Sequence, residues 1–230
     1  MVEHTVKAYE NEISQLRGLI AEMGGLAEVA IRSAIDALSR QDEDLARQVV
    51  ENDAKLDALE AEVDRLVVRT IALRAPMADD LRDVIAALKI SGVVERIGDY
   101  SKNIAKRVYR FEGPRKIEPL TLVPAMAEIA QGMVRDVLNA YGARDAELAV
   151  AVIERDKQLD DFYNSIFRNL VSYMVENPST ISDAAQLLFV ARNLERIGDH
   201  ATNVAEMVYF AATGDYWTER DEDEQGEVSG

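Results

Sequence analysis

Residues 90–108 read ISGVVERIGDYSKNIAKRV, and residues 193–205 read NLERIGDHATNVA. Glu95-Arg96-Ile97-Gly98-Asp99 thus recurs as Glu195-Arg196-Ile197-Gly198-Asp199, an offset of 100, with Asn103 matching Asn203 and Ala105 matching Ala205. Upstream, residues 50–57 (VENDAKLD) align with 153–160 (IERDKQLD) at an offset of 103, which also carries Asp42 onto Asp145. Two segments alignable in the same order mark duplication of a whole unit. At about 100 residues that unit is too long for a solenoid repeat, so two packed helical bundles are expected.

Working outward, Ile90, Val94, Ile97, Ile104 and Val108 form one apolar stripe at helical spacing. Leu56, Leu59, Val63, Leu66 and Thr70 form another on the segment before it. The five prolines (76, 114, 119, 124, 178) all lie at the joints of periodic segments. Six helices follow, near 5–40, 43–74, 77–111, 120–142, 146–176 and 179–212. Asp42 and Asp145 precede acid-rich first turns and are the expected N-caps. Gly24-Gly25 is a candidate bend in the first helix. The expected fold is all-α, two tandem three-helix bundles spanning 1–113 and 120–214, a linker at 114–119, and an acidic, disordered tail at 215–230.

Composition narrows the function. The chain carries a net charge of −16 and no cysteine, so thiolate metal sites and disulfides are excluded. An acidic surface repels phosphate backbones, which argues against a nucleic-acid partner. The first dozen residues lack the basic start and apolar core of a signal peptide, and no apolar run is long enough to span a membrane. The cytoplasm is the expected compartment, with membrane association only through partners.

The acids carry the chemistry. Glu95/Asp99 and Glu195/Asp199 each lie four residues apart on one helical face, as do Asp53/Asp57 and Asp156/Asp160 on the preceding helices. Facing pairs would gather four carboxylates, which repel unless protons or cations intervene. Hard oxygen donors suit Mg, Mn, Ca or ferric iron. The competing reading is a solvated acidic face on a metal-free helical scaffold. Gly98 and Gly198 cost helix stability, about 1 kcal/mol each relative to alanine, and mark close approach of a neighbouring backbone or ligand beside the acids, or plain packing. Arg96 and Arg196 read as counter-ions for adjacent acids, or alternatively as docking points for a phosphate or a partner's acid. His200 is a possible ligand, but Tyr100 holds its place in the first unit. A di-iron oxidase in a helical bundle needs Glu-x-x-His pairs, and none occurs.

These motifs, with Met23-Gly24-Gly25, residues 41–46 (QDEDLA) and 170–174 (LVSYM), resemble the PhoU family of regulators of phosphate-specific transport. The resemblance covers about 12–212. It implies two related three-helix bundles and a non-enzymatic role: a negative regulator linking the phosphate ABC transporter to a sensor histidine kinase of a two-component system. It also implies a homodimer and metal clusters of iron or zinc, with Mg or Mn as alternatives. By motif position the implied ligands are Asp53, Asp57, Glu95, Asp99, Asp156, Asp160, Glu195 and Asp199.

Overall fold

The computed structural model describes residues 2–111 and 117–218, with side chains from residue 9 onward. Among the described residues there are six long helices and no strand: α1 (Val2–Arg40), α2 (Glu43–Arg74), α3 (Asp79–Ala105), α4 (Val123–Ala143), α5 (Ala146–Glu176) and α6 (Ile181–Thr213). None is long and apolar enough to cross a membrane. Residues 114–116 of the linker expected at 114–119, residues 219–230 of the acidic tail and the His4 side chain lie outside the described residues.

The duplication is visible in the joints. Gln41 and Arg144 both adopt left-handed backbone, φ 55° and 54°. The next amide reaches back to a carbonyl of the finished helix, Asp42 to Ala37 and Asp145 to Ala140, both at 2.9 Å. This is the hydrogen-bond closure of a helix C-terminus. The same aspartates then cap the following helix: Asp42 Oδ1 accepts from the Leu45 amide at 2.9 Å and Asp145 Oδ1 from Leu148 at 3.0 Å. One residue type therefore serves two helix ends within a two-residue turn, at both copies.

The other ends differ from the expected boundaries by a few residues. The third helix starts at Asp79, not 77, because Ala75 and Ala78 take positive φ around Pro76. It stops at Ala105, and a 3-10 turn over Val108–Arg110 carries on the expected range. Prolines 119 and 178 each sit in the first turn of a short 3-10 segment that leads into α4 or α6. Proline lacks only an amide that a first turn leaves unused.

In each half the three helices pack on one another, and α3 also packs on α6 and α1 on α4. Ile90, Val94, Ile97 and Ile104 are at most 1% exposed, and Leu56, Val63, Leu66 and Thr70 are buried with them. The buried residues of both halves make one continuous hydrophobic cluster. Gly24 contributes to the joint between halves: α1 runs unbroken through it, and an added Cβ would stand 2.4 Å from the Leu138 side chain of α4. The glycine marks close helix packing.

Candidate functional site

Gly98 and Gly198 explain why the acids gather. A Cβ at Gly98 would lie 2.4 Å from Leu56 Cδ1, and one at Gly198 would lie 2.2 Å from Leu159 Cδ2. Only a residue without a side chain admits those leucines onto the backbone of α3 and α6. That approach brings α2 and α5 close enough for Asp53 and Asp156 to reach the motif: their Oδ1 atoms stand 3.5 and 3.4 Å from the same Cβ positions. The neighbour at both glycines is a packed leucine side chain, as the packing reading has it, with the aspartate carboxylates just beyond.

The result is two carboxylate clusters, one per half. In the first, Glu95 is half-buried and its carboxyl is pushed up to about 7, first by burial and then by Asp99, Glu60, Asp57 and Asp53. All four expected acids therefore sit together, joined by Glu60, three residues beyond Asp57 on α2. In the second, Glu195 is also raised to about 7, by burial and then Asp199, with Arg192 opposing and Asp160 adding. Burial, Asp160 and Asp199 push Asp156 up to about 6. Asp199 is raised as well, by burial and Asp160. Ligand oxygens of Asp160, Glu195 and Asp199 lie within 4.8 Å of one another. Among the described residues this is the one such group of three.

Arg196 acts as the counter-ion expected of it, working against the raised carboxyls of Glu195 and Asp199, but the hydrogen bonds to the clusters come from other cations. In the first cluster the Lys102 ammonium donates to both Asp53 and Asp99. Burial works against that charge, but the two hydrogen bonds outweigh it and hold the lysine protonated. In the second cluster Arg192 donates to Glu195 Oε1. Lys102 follows Asp99 by three residues and Arg192 precedes Glu195 by three, an i,i+3 spacing that was legible in the sequence. Arg96 and Arg196 are exposed, and both also act on the opposite repeat. The Arg196 guanidinium lies 5.8 Å from the Tyr100 ring centroid, and Arg96 helps to depress the His200 imidazole, chiefly lowered by burial. Tyr100 and His200 themselves stack at 5.2 Å and share a hydrogen bond of 3.2 Å. The residues that break the repeat's identity are thus partners across the α3–α6 contact, and His200 is engaged there.

The donor set fits a hard metal ion in the second cluster. Glu195 is 8% exposed and its Oε2 has no hydrogen-bond partner. Asp156 Oδ1 is likewise buried and unpaired; the nearby Thr202 hydroxyl pulls the Asp156 carboxyl downward without closing a bond to that atom. Buried carboxylate oxygens left without donors are costly, and a cation held among Asp160, Glu195 and Asp199 would offset that cost at Glu195.

A helical repeat duplicated end to end, with a carboxylate cluster built into each copy, defines a class of paired-bundle proteins. The PhoU domain model matches residues 20–108 and again 123–208, so the chain belongs to the PhoU family. It is 54% identical to the phosphate-specific transport system accessory protein PhoU homolog of Zymomonas mobilis, over 95% of this chain and 92% of that protein. The homolog of the same description from Caulobacter vibrioides is 47% identical over 95% of each chain. The crystal structure of PhoU from Pseudomonas aeruginosa is similar with a TM-score of 0.84 and 37% identity, covering 90% of this chain and all of that one. PhoU from Streptococcus pneumoniae, at 24% identity and a TM-score of 0.85, shares the fold.

Proposed function

We propose that this chain is a negative regulator of phosphate uptake and of phosphate-starvation signalling. It acts as a cytoplasmic, homodimeric adaptor between a phosphate ABC transporter and a sensor histidine kinase, with metal held at the acid clusters. The observation that carries this reading is similarity continuous through both repeats to a relative named as a phosphate transport accessory protein. The role is one of binding, without catalysis.

In this reading Asp160 from α5 and Glu195 and Asp199 from α6 hold a hard cation such as Mg, Mn or iron; zinc is the softer alternative. An ion held by these residues of α5 and α6 would supply positive charge where burial and mutual repulsion disfavour the carboxylates. Occupancy then sets the charge of the face offered to partners. The exposure of Asp57 and Asp160 favours a second reading, a metal-free scaffold with solvated acids. Deleting the protein is expected to switch on phosphate-starvation genes in phosphate-rich medium, with the wild-type chain restoring repression. A phosphate-responsive reporter that stays silent in the deletion strain would overturn the regulatory role.

A further inference from the structure

In register, Lys102 of the first repeat stands where Thr202 stands in the second. The Lys102 side chain is 21% exposed, and its ammonium sits between Asp53 of α2 and Asp99 of α3. A compact cation with three donors thus engages Asp99, the counterpart of the Asp199 that belongs to the three-acid group of the second half, together with Asp53 behind it. At the same register of α6 a neutral hydroxyl leaves that place without charge. Arg192 is no substitute for Lys102. It reaches Glu195 from the rim with its side chain 47% exposed and engages one oxygen, while Oε2 stays buried and unpaired.

We propose that the two clusters are unequal by construction: Lys102 is a tethered cation that closes the first cluster to metal, and the second cluster, lacking it, takes a hard divalent ion on Asp160, Glu195 and Asp199. This inference rests on the reading that the chain holds metal on its motif carboxylates, and it confines that metal to the second cluster. A dication entering the first cluster must break both charge-assisted hydrogen bonds of Lys102 and then sit beside the displaced ammonium. No such displacement is needed in the second.

The test is titration of the chelator-treated full-length chain with Mn²⁺, read by calorimetry and by the electron paramagnetic resonance of free Mn²⁺. The wild type is expected to bind one ion tightly per chain. Lys102→Thr is expected to gain a second tight site, and Thr202→Lys to weaken the existing one by about 10-fold or more. Circular dichroism and thermal melts establish that each variant is folded. Should Lys102→Thr fail to fold, the wild-type background separates the clusters. Asp160→Asn/Asp199→Asn then abolishes tight binding, and Asp57→Asn/Asp99→Asn leaves it intact. Two equivalent tight sites in the wild type, unchanged in number by Lys102→Thr, overturn the inequality and leave metal binding standing. No Mn²⁺ uptake by either wild type or Lys102→Thr overturns both.

Discussion

Asp53 and Asp99 share a lysine across α2 and α3, while the matching Asp156 and Asp199, across α5 and α6, have a threonine at that register. The surrounding scaffold is otherwise conserved between halves: the capping aspartates, the left-handed residue before them, the motif glycine and the leucine packed on it all recur. The outer ends of the clusters diverge too. Gly92 leaves room for Glu60 in the first half, where an added Cβ would meet its Oε1 at 3.2 Å. Arg192 holds the same place in the second half, above the Tyr163 ring. Backbone geometry and electrostatics have therefore separated. Packing fixes where the carboxylates stand, and a few side chains around them decide whether each cluster is internally neutralised.

The sharpest way to break this comparison is to make one substitution in both halves. Asp53→Asn removes the deeper partner of Lys102 and is expected to destabilise the protein by about 1–3 kcal/mol, reduced from the cost of breaking a fully buried pair because Lys102 retains some solvent. Asp156→Asn relieves a carboxyl held in an unfavourable site, so the metal-free protein should gain up to about 1 kcal/mol. Urea unfolding of the two variants decides it; shifts of the same sign would mean that the clusters are electrostatically alike.

The pH dependence sharpens the same contrast. Glu95 and Glu195 titrate near 7 in the folded chain against an ordinary value of 4.5, and Asp156 near 6 against 3.8. Between those values the folded state binds more protons than the unfolded state. Their contribution to stability is therefore complete below the unfolded values and is lost as pH rises through the folded ones. Melting temperatures of the metal-free protein are expected to fall by a few degrees between about pH 5 and pH 8. Glu95→Gln/Glu195→Gln should flatten that slope, and Mn²⁺ should restore stability at the upper end. A melting temperature that climbs over this interval would contradict the electrostatics of the clusters.

The glycines should behave alike in both halves because they serve packing. Gly98→Ala and Gly198→Ala each gain about 1 kcal/mol of helix propensity, but force a buried leucine aside at a cost of about 1–3 kcal/mol. A net loss near 1 kcal/mol is expected at each, measurable by chemical denaturation, and unequal losses would show that the scaffold has diverged as well. Smallest of all, Tyr100→Phe removes the hydrogen bond to His200 and keeps the stack. It should cost about 0.5–1 kcal/mol, visible as a slight drop in melting temperature and as a change in the His200 imidazole signals by NMR.

Much of this was open to reading from the chain. Local chemistry sufficed for the helices, since the apolar stripes, the capping aspartates and the prolines act within a few residues of themselves. The eight acids were found because duplication exposes them, and the structure gathers them four to a half. Adjacency points to Arg96 and Arg196, and Arg196 does act on Glu195 and Asp199, but Lys102 and Arg192, three residues from a motif acid, make the hydrogen bonds. Spacing names the residues that share a helical face, but an ion pair also needs the neighbouring helix. Lys102 is decisive because it reaches Asp53 on α2, and no property of α3 alone reveals that reach.

The sequence by itself determined the all-helical class, the duplication, the caps and the set of acids, because periodicity, turn chemistry and internal identity are one-dimensional signals. Only the tertiary structure decided which cation neutralises which acid, that Tyr100 and His200 are partners, and that Glu195 keeps a buried oxygen unpaired. Those outcomes depend on the approach of α2 to α3, α5 to α6 and α3 to α6. Such distances between helices are set by packing across the whole chain.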